Sequence, residues 1–297
     1  MSVRSGLAKL AIASAALTGW AGASLAQGTI ETYHVQGNVH MLVGDGANVA
    51  VQIGDDGVLV VDTGSAATRA QVLEAVRSLS DGPIRWIVNT SGDLDHTGGN
   101  ETVSQAGMTV NGNPAAIIAH ENVLARMTQA DRPVTELPLN TFFEAGRDFY
   151  FNGEAVFLYH VPAHTDGDIA VYFRGSDVVV TGDVFTPGRY PVVDLANGGS
   201  LTGLIAALNK VLEITVPARY QEGGTYVVPG HGRLGDEADV VEYRDMVTIV
   251  RDRVQELMRK KMTLAQVRAA RPTLDYDGEY GNPDGFVEAV FRSLGAK

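Results

Sequence analysis

Asn89-Thr90-Ser91-Gly92-Asp93-Leu94-Asp95-His96-Thr97-Gly98-Gly99-Asn100 follows without a break on the apolar run Ile84-Arg85-Trp86-Ile87-Val88. The β-branched and aromatic residues of that run predict a strand. A buried strand emptying into a polar, Gly-rich segment is where α/β proteins hold catalytic side chains on a rigid support. Asp93, Asp95 and His96 stand together in that segment.

Upstream, residues 38–43 and 49–53 read as short strands, Gly54-Asp55-Asp56-Gly57 as a hairpin turn, and residues 58–61 as a buried strand ending at Asp62-Thr63-Gly64. Residues 66–79 place Val72, Ala75, Val76 and Leu79 on one face of an amphipathic helix. The same style recurs downstream. Residues 155–161 form a strand leading into a loop that holds His164, Asp166 and Asp168. Strands at 169–173 and 178–180 follow, the second running into Gly182-Asp183, and a strand at 226–228 runs into Pro229-Gly230-His231-Gly232. Helices are expected at 201–212, from 238 to about 261, and at 263–269. No repeat, low-complexity block or linker separates the halves, so residues 27–297 read as one domain. Two β-rich halves with helices outside predict an α/β four-layer sandwich.

The chain has no cysteine, so a metal site here must be built from His, Asp and Glu. Of the seven histidines, His96, His164 and His231 fall at strand ends beside glycine or small residues. His34, His40, His120 and His160 lack that context and are read as structural. Together with Asp93, Asp95 and Asp183, the three strand-end imidazoles form a suitable shell for two divalent cations.

These motifs resemble those of the metallo-β-lactamase superfamily. The 89–100 segment is similar to the family's N-T-H-x-H-x-D-H-x-G-G-N signature, and Pro162-Ala163-His164-Thr165-Asp166-Gly167-Asp168 to its second motif. Thr181-Gly182-Asp183, Pro229-Gly230-His231-Gly232 and Asp62-Thr63-Gly64 look like its bridging-aspartate, last-histidine and buried-aspartate motifs, in the family's order. The resemblance implies an αβ/βα sandwich with the site at one edge, and hydrolysis by water activated on Zn²⁺. A bridging aspartate at position 183 is more like glyoxalase-type thioesterases, lactonases and phosphodiesterases than true β-lactamases, which leaves β-lactam hydrolysis as a minor alternative. Gly188 to Ser200 and the 272–280 tail look like exported members without an assigned substrate.

The chain departs from the signature at two histidine positions, which are Ser91 and Asp93 here. In the family those two, with the equivalent of His164, hold the first metal. Ser91 is a poor ligand because its hydroxyl stays protonated, whereas Asp93 still offers an oxygen. The resemblance leaves the second site intact as Asp95, His96 and His231, with Asp183 as the bridge. Two occupancies follow: a single Zn²⁺ in the second site, or a pair whose first position, formed by Asp93, His164 and Asp183, favours a harder ion such as Fe or Mn. Asp95 is expected to ligate and to orient the nucleophile. Asp93 is a general base if one ion is missing, and His164 a ligand, general acid or substrate contact. Asp62 is expected to bond the loop backbone and orient ligands, with Ser91 beside it in support. The substituted first site also allows a non-catalytic member that only binds a ligand in the cleft. Arg189 and Tyr190 are read either as substrate contacts or as packing and surface residues.

The formal net charge of −12 argues against nucleic acid or an anionic membrane as partner and leaves a small molecule as the expected one. Arg4 and Lys9 lead into an Ala-rich apolar run ending near residue 23, and Ser24-Leu25-Ala26 offers small residues to a signal peptidase. Residues 1–26 are therefore expected to be a Sec-type signal peptide, placing the protein in the periplasm or outside the cell. That run is shorter than the ~20 residues a membrane helix needs. The stripe Val240, Val247, Val250, Val254 and Leu257 fits either sheet packing or a dimer contact, and oligomeric state is open.

Overall fold

The computed structural model describes residues 29–295, so the expected signal peptide lies outside the described residues. Among the described residues, thirteen strands form two sheets. The first is seven-stranded, with β1 (Glu31–Gln36), β2 (Val39–Val43), β3 (Val49–Gly54), β4 (Gly57–Val61), β5 (Ile84–Val88), β6 (Ala116–His120) and β7 (Asn140–Phe142) adjacent in chain order. Its first four strands are antiparallel and β4 to β7 run parallel. The crossovers of the parallel half carry α1 (Arg69–Leu79), α2 (Leu94–Thr97), α3 (Asn100–Ala106) and α4 (Glu121–Gln129).

The second sheet contains β8 (Gly146–Phe151), β9 (Glu154–His160), β10 (Ile169–Phe173), β11 (Val178–Val180), β12 (Tyr226–Val228) and β13 (Gly235–Asp236), in the order β13-β12-β11-β10-β9-β8. Only β11 and β12 pair in parallel, and α5 (Leu201–Ile214) makes the crossover between them. The chain ends in α6 (Glu237–Arg259), α7 (Leu264–Ala269), α8 (Asp277–Tyr280) and α9 (Asp284–Gly295).

Alternation along the strands assigns side chains to layers. Leu59 and Val61 of β4 enter the core between the sheets, where they meet Ile169, Val171 and Phe173 of β10. Val58 and Val60 point the other way, onto Val72 and Val76 of α1 and Val103 of α3. Ala170 and Tyr172 of β10 likewise face the outer layer of α5, α6, α7 and α9. The result is the four-layer αβ/βα sandwich expected from the sequence. The α6 stripe of Val240, Val247, Val250 and Val254 is buried in this outer core, which resolves its role as packing within the chain. The prediction from 66–79 starts early, because the helix begins at Arg69 after a turn closed by Thr68 N donating to Ser65 O.

A capping box starts α6: Asp236 accepts from Asp239 N and Asp239 accepts from Asp236 N, both at 3.1 Å. Arg233 also donates to both Asp239 oxygens, at 2.8 and 2.6 Å. That guanidinium is the main reason the Asp239 carboxyl lies below its ordinary pKa of 3.8, with burial opposing it. A depressed folded-state pKa stabilises the fold above the unfolded value and loses that contribution as pH falls through the folded one. Asp239→Asn is therefore expected to cost about 0.2–1 kcal/mol near neutral pH, since Arg233 is largely exposed. In urea unfolding the gap to the parent should narrow from about pH 4 downward. A gap that is constant with pH would show that the charge contributes nothing.

Candidate metal centre

The C-terminal ends of β4 and β5 in one sheet and of β9, β11 and β12 in the other open onto the same edge of the sandwich. Asp93, Asp95, His96, His164, Asp183 and His231 all lie there, in two groups. Asp95, His96 and His231 form one group and Asp93, His164 and Asp183 the other, with the donor atoms of each group within 4.8 Å of one another. The six residues singled out from the sequence are thus adjacent in space.

In the first group, His231 Nε2 lies 3.1 Å from Asp95 Oδ2 and 3.5 Å from Asp183 Oδ1. His96 Nε2 lies 3.3 Å from Asp183 Oδ1. Those two atoms are buried, yet neither completes a hydrogen bond. An unsatisfied buried polar atom costs about 1–3 kcal/mol, so two such atoms side by side fit a cation that takes a lone pair from each. Gly230 makes room for this: a Cβ there would stand 2.3 Å from Asp183 Oδ1, so any side chain would displace the shared carboxylate.

Asp62 orients the first group. It leaves β4 with φ 61°, a conformation that Asp tolerates better than most residues. Its Oδ1 accepts Thr90 N at 2.8 Å, and its Oδ2 faces His96 Nδ1 at 2.7 Å. With Nδ1–H committed to Asp62, His96 presents Nε2 to the site. Burial is the strongest influence on His96 and disfavours the imidazolium, but Asp62 and Asp183 together outweigh it and raise the pKa well above 6.5. Burial also opposes ionisation of Asp183, and the surrounding histidines, His96 foremost, reverse it and hold the carboxyl well below its ordinary range. The carboxylates around His96 therefore favour positive charge there, and a cation binding at Nε2 competes with a proton.

The second group is closed by hydrogen bonds. Ser91 Oγ donates to Asp93 Oδ2 at 2.8 Å, and His164 Nε2 lies 3.1 Å from the same oxygen. His164 Nδ1 is fixed by Val192 O at 2.9 Å. Burial works against protonating His164, but Asp93, Asp168 and Asp183 push its pKa up to about 10. Asp168 is a loop organiser, accepting Thr165 N at 2.8 Å and Ala163 N at 3.3 Å. Asp166 forms an ion pair with Arg126 at 2.6 Å.

A cleft of about 670 Å³ opens over both groups, its walls including Arg126, Arg132, Arg189, Leu94 and Val192. Arg126 and Arg132 were not found from the sequence. Val123 and Met127, four apart and buried on β6, carry the periodicity of α4 that would have placed Arg126 on the cleft side. Tyr190 is buried and Arg189 exposed, so of those two neighbours only the arginine meets solvent in the cleft. The remaining histidines lie apart: His34 packs edge-on against His40 at 5.1 Å, and His120 stacks on His160 at 3.7 Å.

Fold and site together define an αβ/βα sandwich with His/Asp groups able to hold a metal ion at one edge. A model of the metallo-beta-lactamase superfamily matches residues 42–231, and the chain belongs to that superfamily. It is 25% identical over 202 residues to the Bacillus subtilis protein named "Probable metallo-hydrolase YqgX", covering 67% of this chain and 90% of that protein. Among solved structures it is similar to the stereoselective inverting sec-alkylsulfatase Pisa1 from Pseudomonas sp., with a TM-score of 0.67 and 17% identity over 90% of this chain. The chain spans 51% of that sulfatase's length. It is also similar to a metallo-beta-lactamase from Pontibacter korlensis, with a TM-score of 0.59 and 18% identity, covering 74% of this chain and 99% of that one. At these identities the likeness of structure concerns the fold.

Proposed function

We propose that this protein is a zinc-dependent hydrolase, periplasmic or secreted, that cleaves an ester-, thioester-, lactone- or amide-like bond in a small molecule. The observation that carries the reading is the convergence of Asp95, His96 and His231, each with a donor atom within 4.8 Å of the others, beside the Asp183 carboxylate. Bound there, Zn²⁺ would lower the pKa of a water ligand from ~15.7 towards ~7 and polarise a carbonyl oxygen.

The chain's own residues supply the proton handling. The hydrogen bond from His231 is the main reason Asp95 lies below the usual carboxylate range, so Asp95 is ionised and can hold and orient the attacking water. Burial opposes ionisation of Asp93, but His164 and Ser91 prevail and keep it a carboxylate at the cleft wall, placed to accept a proton. His164, fixed by Val192 O and protonated near neutral pH, is placed to donate one to the leaving group.

A second reading rests on one observation. Ser91, Asp93 and His164 already satisfy one another, which favours a single ion and also suits a ligand-binding protein without turnover. Elemental analysis after purification without chelator, paired with a panel of ester, thioester, lactone, phosphodiester, sulfate ester and β-lactam substrates, separates these readings. One zinc per chain with turnover of at least one class is the expected result. Less than about half a metal per chain after zinc reconstitution overturns the hydrolase. Turnover that appears only in the combined Ser91→His and Asp93→His variant would establish the binding protein.

A further inference from the structure

We infer that the substrate of this cleft is an amphiphilic anion, with a negatively charged group received by Arg189 and an apolar portion lying against Leu94 and Val192. The inference names the substrate class for the hydrolase proposed above and rests on that reading for its catalytic half only.

The charge balance of the cleft motivates it. The protein carries a net charge of −12 and would repel anions, yet Arg126, Arg132 and Arg189 line this one cleft and offset the Asp93, Asp95 and Asp183 carboxylates at its floor. Two of them are engaged within the fold. Arg126 is held by Asp166 at 2.6 Å and by Asn197 Oδ1 at 2.7 Å, and Arg132 by Glu136 at 2.6 Å. Among the described residues Arg189 bonds only through its backbone, leaving its guanidinium free in the cleft.

The backbone under Arg189 is built, not loose. Gly188, at φ 79°, reverses the chain in a conformation that side-chain-bearing residues rarely adopt. Arg189 N then donates to Thr186 O at 3.3 Å, and Arg189 O accepts the Tyr243 hydroxyl at 3.4 Å. Tyr243 is itself buried and bonded to Thr186 Oγ1 at 2.9 Å. On the other side, Tyr190 stacks on Phe286 with ring centroids 5.5 Å apart and donates to Asp277 Oδ1 at 3.0 Å. Holding the arginine's root in place lowers the entropy lost when its head group binds, and a guanidinium pairs carboxylate, sulfate or phosphate oxygens with two parallel donors.

The apolar half comes from two side chains exposed without any packing reason. Leu94 is 68% exposed between Asp93 and Asp95, and Val192 is 64% exposed beside the carbonyl that fixes His164. Both border the candidate metal groups, so an apolar body resting on them lies next to the reacting position.

Fluorescence titration of the zinc-reconstituted protein with anilinonaphthalene sulfonate, and with its uncharged parent phenylnaphthylamine, tests the inference without needing turnover. The sulfonate is expected to bind on the order of ten-fold tighter than the parent, Arg189→Ala to erase that preference, and Arg189→Lys to keep part of it. Leu94→Ser should weaken both probes alike. Far-UV circular dichroism checks folding, and Arg189→Gln replaces any variant that misfolds. A parallel assay compares nitrophenyl hemisuccinate with nitrophenyl butyrate, where Arg189→Ala should lower the anionic-to-neutral ratio of kcat/KM about ten-fold. Equal binding of the two probes by the parent protein, or a preference untouched by Arg189→Ala, overturns the inference. If no class of the substrate panel above is turned over while the probe preference still depends on Arg189, the hydrolase reading fails and the anion site stands.

Discussion

His231→Ala is expected to remove the cation from the Asp95–His96–His231 group and to lower hydrolysis at least ~10³-fold while leaving the fold intact. His231 sits in the loop after β12, partly exposed, and no core cluster depends on it. Its loss leaves His96 as the one imidazole beside Asp95 and Asp183, a harder and weaker donor set for Zn²⁺. A thousand-fold fall corresponds to about 4 kcal/mol of lost transition-state stabilisation, within what a Lewis acid supplies. His34→Ala, a histidine on β1, provides the comparison and should alter neither metal content nor rate. Elemental analysis and rate measured on the same preparation check the result. A His231→Ala protein that keeps both its metal and its rate would exclude this group as the reaction centre.

Asp62→Asn is expected to lower metal affinity about 10–100-fold without unfolding the protein, because an outer carboxylate that fixes a ligating imidazole typically contributes that much. Asn tolerates the positive φ of position 62 and can still accept Thr90 N, so the loop keeps its shape. What disappears is the anionic acceptor for His96 Nδ1–H, and with it the bias that presents Nε2 to the site. Asp62→Ala goes further, leaving buried His96 and the Thr90 N–H without their partner, at a cost of about 3–5 kcal/mol. Competition with a chromophoric chelator and thermal unfolding read the two effects separately. Unchanged affinity in Asp62→Asn would mean that His96 does not ligate through Nε2.

Much of the fold could be read from hydrophobic period alone. Where a strand alternates between two apolar environments, as β4 does between Val58/Val60 and Leu59/Val61, both faces are apolar and the run stands out from its Gly-rich flanks. The candidate ligands were legible for the same reason, each following such a run. Their separation into two groups in space came from the family resemblance and not from hydrophobic period. In the fold it comes from parallel pairing of β4 with β5 and of β11 with β12, which aligns C-terminal ends contributed by distant segments. The interval holding α4, β7 and β8 gave no signal, because β7 is three residues long and β8, Gly-Arg-Asp-Phe-Tyr-Phe, alternates between exposed and half-buried positions until the buried Phe151 at its end. Arg126 and Arg132 were missed with it. At Arg189-Tyr190 the residue types were visible but not their directions, which are set by Phe286 and Asp277 far along the chain.

The most direct test is anomalous diffraction at the zinc edge from crystals grown with Zn²⁺. A peak about 2.0–2.2 Å from His96 Nε2, His231 Nε2 and an oxygen of Asp95 or Asp183 is the expected result. The same map shows whether a second ion sits among Asp93, His164 and Asp183. A map with no density at the Asp95–His96–His231 group, under conditions where the protein is active, would contradict a metal-activated reaction at this edge of the sandwich.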